Sequence, residues 1–377
     1  MRAIVASVVE LVRPVRVGWV VRDQVPGPDV DEFAEPERVI AALARARTRT
    51  LLAVQHPHRT PQALARGLSL VDALPHARDE LAVLRHTAYR RVTDVVAPYR
   101  VDGPDGTAHG LLCVVDPTAV GHTEEVYPEV VAERARVLSD LGCATSAAML
   151  VPVAERVELT ELVAEIDDEP AASVVDSGGR RHRLWLVGPG ARQDALLAAA
   201  GAHPLMVADG NHRVAAAAAA GLDGLLALVT AGPALRVGPI HRALTGTGLA
   251  LPDLARAWRA VGLPVTEVDA AHRPSRGVVI ARAGGAALRV ELPDRGADHV
   301  AVERVLLARA LGLDPESRQV RPVTDEDQPD ADAVLLIAPV PLADVLAVHA
   351  EGGRMPRKST YFTPKPRSGL LLADLGR

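Results

Sequence analysis

Aromatic residues are scarce in this 377-residue chain, which has two Phe, three Trp and four Tyr. Its core cannot rest on large rings and must be assembled from Ala, Val and Leu. Cysteine is nearly absent, with only Cys113 and Cys143. They stand in separate apolar stretches and in no Cys-x-x-Cys spacing. Neither a disulfide framework nor a zinc ribbon is expected, and both read as small buried hydrophobes. An excess of base is lacking too. The net charge is −5 and the sequence pI about 6.2, which argues against a sequence-independent grip on nucleic acid. No uninterrupted apolar run reaches the roughly 18–20 residues of a membrane span. The stretch Met1 to Arg13 is apolar but carries Arg2 and Glu10, without a signal-peptide cleavage region. A cytoplasmic protein with no membrane partner is the expectation.

Several signatures of chemistry are also missing. There is no Gly-x-x-x-x-Gly-Lys-Ser/Thr, no Gly-x-Ser-x-Gly and no His-Glu-x-x-His, which sets aside P-loop ATPases, serine hydrolases of that type and zinc proteases. No Gly-x-Gly-x-x-Gly opens a helix, so a clean doubly wound sheet is not expected. His56-Pro57-His58 is metal-like by eye but lies in a Pro-rich turn with no third ligand nearby. The acidic stretch Thr324 to Asp332, with Asp325, Glu326, Asp327, Asp330 and Asp332, lacks EF-hand spacing and reads as a solvated loop.

What remains is the patterning of a globular chain, 48% hydrophobic and 24% charged. Helical spacing marks Phe33 to Ala46, Ala73 to Val96, Tyr127 to Leu141, Ala191 to Ala200, Leu251 to Val261, Val302 to Leu311 and Pro341 to Glu351. Compact apolar runs mark strands at Gly110 to Val115, Ala147 to Val153, Gly224 to Thr230, Ala333 to Ile337 and Gly369 to Leu372. Two hairpins are signalled. One joins Ala172 to Val175 with His182 to Val187 across Asp176-Ser177-Gly178-Gly179. The other joins Val278 to Ala281 with Ala287 to Leu292. Arg273-Pro274-Ser275-Arg276 reads as a linker. Alternating strands and helices with hairpins give an α/β class with a mixed, α+β-like sheet.

The most informative stretch is Leu205-Met206-Val207-Ala208-Asp209-Gly210-Asn211-His212-Arg213-Val214, followed by Ala215 to Ala220. An apolar segment stops at Asp-Gly, and an alanine block follows that has the best helix propensity. The reading is strand, tight turn, helix. Gly210 permits a sharp turn and close approach of backbone to a ligand. Asn211 is a good N-cap type, and a helix start attracts anions, phosphate above all. Arg213 adds a planar cationic fork, and His212 a group that donates, accepts or titrates near neutral pH. The same unit also occurs as a capped connection with no ligand, so both readings stay open on the motif alone.

Asp-Gly-x-x-Arg at a strand-to-helix junction resembles the signature of the ParB-like superfamily, which includes chromosome-partition nucleotide switches, sulfiredoxin and an ADP-dependent kinase of free serine. The longer context is similar to one branch, the DUF1015 family, where the motif usually reads Asp-Gly-His-His-Arg; here Asn211 replaces the first His. Further stretches fit. They are Gly238-Pro239-Ile240-His241-Arg242, the run from Met355 to Lys365 containing Lys358-Ser359-Thr360-Tyr361, and Thr123-Glu124 followed by Glu133-Arg134, with Thr123 in place of a family His. The likeness runs from about Tyr99 to the end. The N-terminal fifth has no counterpart of the family's Pro-Tyr-Asp-Val segment.

The resemblance implies a ParB-like nucleotide-binding core. It divides the chain into a divergent region 1–98, the core 99–245 and a C-terminal α/β region 246–377 whose Lys-Ser-Thr-Tyr motif returns to the site. It implies phosphoryl transfer from ADP or ATP, with Mg2+, to a small hydroxylated metabolite such as free L-serine. Gly210, Asn211, His212, Arg213, His241, Arg242, Lys358, Ser359, Thr360, Tyr361 and Lys365 would then hold the nucleotide. Asp209, Glu124 and His212 would carry catalysis, and Asp209 and Glu124 the metal. Asp209 has the alternative of bracing its own turn, and Glu124 that of favouring the helix after it. A regulatory nucleotide switch or NTPase without kinase activity is the competing reading, although no helix-turn-helix reader is evident and sulfiredoxin's cysteine is missing from the turn. A homo-oligomer stays open.

Overall fold

The computed structural model describes residues 11–30, 36–103, 106–154, 158–231, 235–293 and 297–376. Most of the Met1–Arg13 run and the start of the helix expected from Phe33 lie outside them. The fold is mixed α/β. Two compact units emerge, and each threads the chain more than once. The first takes the described residues of Met1–His122, Val126–Leu235 and Pro364–Arg377, and the second Thr123–Glu125 and Arg236–Thr363. Breaks expected after residues 98 and 245 are not where the units part. Among the described residues no helix is long and apolar enough to cross a membrane.

The first unit is organised by an eight-stranded mixed sheet. Its main path runs Leu205–Asp209, Ala148–Pro152, Leu225–Ala231, Gly106–Val115, Ala97–Gly103, Arg181–Leu184, Ala172–Val175, with Val12–Arg13 added beside Gly106–Val115. Ala148–Pro152 and Leu225–Ala231 pair in parallel, while Leu205–Asp209 runs antiparallel to Ala148–Pro152. Side chains alternate across a strand, and the alternation sorts them into two cores. Leu112, Leu226 and Leu228 join one cluster with Leu81, Leu84 and Tyr99. Leu111, Cys113, Leu225, Ala227 and Val229 join the other with Leu150, Leu196 and Val214. Both faces are therefore covered, which is why Met149, Leu150 and Val151 are all buried. Truncating Leu228 to Ala would cost roughly 2–5 kcal/mol. Both cysteines are buried, as their apolar context suggested, and burial pushes their thiols up.

A four-stranded sheet in the same unit, Tyr89–Val95, Val15–Val21, Leu371–Asp374, Cys143–Ala144, joins the N-terminal region to the C-terminal end. The helix expected to run to Val96 stops earlier. It spans Leu70–Thr87, starts with a Ser69–Asp72 capping box and ends at Ala88. The following Tyr89, Val92 and Val95 instead form a strand against Val15–Val21. Helical spacing continued past Thr87 by coincidence; a strand partner some 70 residues away decided the matter.

The second unit holds an antiparallel six-stranded sheet in the order Val265–Val268, Ala286–Glu291, Val278–Ala283, Ala333–Leu336, His241–Leu244, Val320–Val323. Leu254, Trp258, Val279, Leu288, Leu306 and Leu335 make its core, and the Trp258 indole donates to the Leu306 carbonyl at 3.2 Å. The helix expected from Val302 begins at Asp298, and Val302–Arg309 is wound as a π-helix. Arg236–Gly238 pairs with Tyr361–Thr363, which ties the C-terminal motif into this unit. The acidic stretch behaves as a surface loop. Glu326 pairs with Arg273 and Arg282, and Asp332 accepts from the Thr247 and Gly248 amides.

Candidate functional site

In the first unit the motif folds as its residues suggested, with one change at the cap. The strand Leu205–Asp209 ends, Gly210 turns with φ +96° as the N-cap, and the helix runs Asn211–Ala219. Asn211 is thus the first helical residue, not the cap. Its buried side chain lies with Oδ1 3.2 Å from His122 Nδ1. Gly210 is required twice over. Its φ is left-handed, and a Cβ there would stand 3.0 Å from Arg213 Nε.

Arg213 turns back on its own turn. It donates to Asp209 Oδ2 at 2.9 Å and to the carbonyl of Ala147, the residue just before the strand Ala148–Pro152. Lys365 comes from the C-terminal return and donates to Asp209 Oδ1 at 2.7 Å. Arg213 and Lys365 thus stand on different carboxylate oxygens of Asp209, and all three side chains are only 11–27% exposed. Both cations stand at a helix start, where the macrodipole already favours an anion. His212 stacks on Tyr127 with centroids 5.7 Å apart, and its Nε2 accepts from the Tyr127 amide at 3.0 Å. A nitrogen that accepts from a backbone N–H is unprotonated, so the second ring nitrogen carries the hydrogen of the neutral imidazole.

Glu124, Lys358, Ser359, Thr360, Tyr361, His241 and Arg242 all belong to the second unit. The Glu124 carboxylate accepts from the amides of Lys358 (3.3 Å), Ser359 (3.2 Å) and Thr360 (3.0 Å), and from Thr360 Oγ1 at 2.6 Å. On the carbonyl side, Arg242 donates to Lys358 O at 3.1 Å and Arg357 O at 3.4 Å, and pairs with Glu303 at 2.7 Å. The loop is clamped on both faces of its backbone. Between the clamps Lys358 sits at φ +52°, a conformation that L-residues other than Asn and Asp rarely adopt.

This geometry revises several sequence expectations. Ser359 is fully buried and donates to Pro356 O, and the Thr360 hydroxyl is taken by Glu124, so neither offers its hydroxyl to a ligand as arranged. His241 and Arg242 are strand residues 1% and 3% exposed. His241 Nδ1 accepts from the Ile337 amide, and burial pushes its imidazolium below the ordinary range. Neither is an open phosphate contact; they form the interior against which the loop rests. Tyr361 packs on Gly238, where a Cβ would meet its ring at 3.0 Å. Among the described residues no group of three or more His, Cys, Asp or Glu is arranged to hold a metal.

Sequence reasoning passed over His122, which stands one position before the Thr123 that was taken to have lost a histidine. It also passed over the buried pair Tyr99 and His182. The first had a signal, a histidine one residue out of register. The second had none within its own strand.

Residues 99–269 match the model of a family described as "Protein of unknown function (DUF1015)". No curated protein matches the sequence. Among solved structures, the chain is similar to a conserved hypothetical protein from Pyrococcus furiosus, with 12% identity and a TM-score of 0.40 over 70% of this chain and 95% of that one. A free serine kinase in complex with AMP matches at 12% identity and a TM-score of 0.39, over 69% of this chain and 92% of that one. SbnI with a C-terminal truncation, from Staphylococcus aureus, matches at 13% identity and 0.39, over 69% and 87%. At these scores the likenesses carry no functional argument.

Proposed function

We propose that the first unit binds the phosphates of a nucleotide, ADP or ATP, at the Asp209–Arg213 turn. We further propose that it serves as a nucleotide-dependent phosphotransferase acting on a small hydroxylated metabolite. The observation that carries the reading is Lys365 on Asp209. It brings a second cation, beside Arg213, to the start of an alanine-rich helix. Phosphate is the ligand that such a turn suits.

Phosphoryl transfer is chiefly positioning and charge stabilisation. In the proposed reaction an arriving phosphate competes with Asp209 for Lys365. With Lys365 on the phosphate, Asp209 would take the proton of an alcohol whose oxygen bonds the terminal phosphorus as that phosphorus parts from its bridging oxygen, and the nucleotide would leave one phosphate shorter. Arg213 keeps its hold on Oδ2 and on Ala147, and so fixes the carboxylate. The carboxylates as arranged do not fit a Mg2+ site. Asp209 is flanked by two cations and Glu124 is filled by four donors, so no step is assigned to a metal. Glu124 braces its loop in this account instead of acting as a base.

One observation favours the competing reading, a nucleotide-binding switch without transfer. His212 Nε2 is engaged by the Tyr127 amide, and Asp209 must first lose Lys365, so no base stands ready in the turn.

The test has two stages. ADP, ATP, CTP and GTP are screened by thermal shift with and without Mg2+, since a ligand of the native state raises the melting temperature. Free serine is then offered as the first acceptor with the nucleotide that binds. Binding with phosphoserine formed supports the phosphotransferase. Binding with no transfer to any hydroxylated acceptor supports the switch, and no shift with any nucleotide overturns both.

A further inference from the structure

The first unit contains a buried hydrogen-bond relay remote in sequence from the motif. Tyr99 and His182 are each 1% exposed, on adjacent strands. Arg367 N donates to Tyr99 Oη at 3.0 Å. Tyr99 Oη lies 2.6 Å from His182 Nδ1, and His182 Nε2 lies 3.0 Å from Asp176 Oδ2. Asp176 also accepts from the amides of Gly178 and Arg180, at 2.9 and 2.8 Å.

The direction of every bond follows from the two ends. A backbone N–H can only donate, so Tyr99 Oη accepts from Arg367; a carboxylate only accepts, so the one N–H of the His182 ring, kept neutral by burial, is on Nε2, and Nδ1 accepts the Tyr99 hydrogen. That nitrogen is then the acceptor of a neutral imidazole, and Nε2–H donates to the carboxylate. Each hydrogen has one place to go, and the relay ends on the backbone of the C-terminal return.

That backbone is stiff. Lys365 lies between Pro364 and Pro366, and Arg367 follows at once. Proline fixes its own φ and pushes the residue before it towards extended conformations. Fixing Arg367 N therefore fixes Lys365 two residues upstream. The Arg367 side chain adds a second tie to Asp29 at 3.1 Å, and Asp29 accepts from Ser177 in the turn that also carries Asp176.

We infer that Tyr99 and His182 are positioning residues for the phosphate site, holding the Pro364–Arg367 segment so that the Lys365 ammonium stands on Asp209. The inference rests on reading the Asp209–Arg213 turn as that site. Tyr99→Phe keeps the ring and its packing but removes the hydroxyl. His182→Leu removes the acceptor, whereas His182→Gln restores one for the Tyr99 hydrogen.

The experiment measures ADP affinity by calorimetry on the full chain, with melting temperatures alongside. The variants are Tyr99→Phe, His182→Leu, His182→Gln, Lys365→Met and the Tyr99→Phe/Lys365→Met pair. Lys365→Met is expected to weaken ADP tenfold or more, and Tyr99→Phe about fivefold with the protein still folded. The pair should be no weaker than Lys365→Met alone, because a residue that acts through Lys365 has nothing left to act on. His182→Gln should recover most of what His182→Leu loses, and the His182 variants decide the matter if Tyr99→Phe does not fold. Additive losses in the pair, or wild-type affinity in Tyr99→Phe and His182→Leu while Lys365→Met is impaired, would overturn the inference alone. Wild-type affinity in Lys365→Met would overturn the phosphate reading and the inference with it.

Discussion

Removing the Glu124 carboxylate is expected to open the Pro356–Thr360 loop of the second unit. Glu124 takes four donors at 2.6–3.3 Å, three of them backbone amides of consecutive residues. Hydrogen bonds to a charged group contribute roughly 1.5–3 kcal/mol each when well formed. Two of the amide contacts are long, water can replace part of the rest, and the bonds are not additive. A loss of about 2–4 kcal/mol for Glu124→Ala is the resulting figure. The loss falls on local opening, because Arg242 still holds the carbonyl side. Trypsin reads this directly, since the loop contains Arg357 and Lys358. If cleavage requires opening, 2 kcal/mol corresponds to about a thirtyfold faster cut. Glu124→Gln keeps one acceptor oxygen and should fall between Ala and wild type. Equal cleavage rates in wild type and Glu124→Ala would refute the bracing role and return Glu124 to consideration as a reacting group.

Further outcomes follow from single residues. Gly210→Ala should cost roughly 1–2 kcal/mol from the left-handed backbone and weaken ADP as well, because its Cβ displaces Arg213; urea unfolding with wild-type stability would contradict this. Lys358→Gly should leave stability nearly unchanged, the relieved strain offsetting the added chain entropy, whereas Lys358→Val should lose roughly 1–2 kcal/mol; the reverse order would show that φ +52° is not adopted in solution. His299 is pushed down to about 4 from 6.5 by burial. Its neutral form is the folded one, so its contribution is complete above pH 6.5 and is lost as pH falls towards 4, by about 3 kcal/mol in all. Unfolding curves of wild type and His299→Met across that range should differ in slope, and parallel curves would refute the assignment.

The parts of this molecule that were legible in the sequence are those decided locally. Asp209-Gly210 followed by alanines sets a strand, turn and helix within fifteen residues, and the Asp176–Gly179 hairpin is equally local. Gly142 ends the helix Pro128–Leu141 at φ +56°, as a glycine after a periodic run should. Pairings across the chain decided the rest. Val15–Val21 gave no sign that its partners are Tyr89–Val95 and Leu371–Asp374. His241-Arg242 stood out as a charged dipeptide, but its strand between Ala333–Leu336 and Val320–Val323 buries both side chains. In the candidate site, Arg213 could be placed at the turn from spacing alone. Lys365 could not, because it reaches Asp209 from 156 residues away. The relay from Tyr99 to Asp176 was hidden for the same reason, its members being unremarkable within their own strands.

In the proposed function, Lys365 and the Asp209–Arg213 turn hold phosphate. Arg213 is a poor probe of it, since the same side chain braces the turn through Ala147. Lys365→Met keeps the length and apolar stem and removes only the charge. The most direct measurement is the affinity of this variant and of wild type for ADP, by calorimetry at one salt concentration. Loss of a charge-assisted contact of roughly 1.5–3 kcal/mol predicts affinity reduced about tenfold or more with the fold intact. Equal affinity in the two proteins, or no binding by wild type, would contradict it.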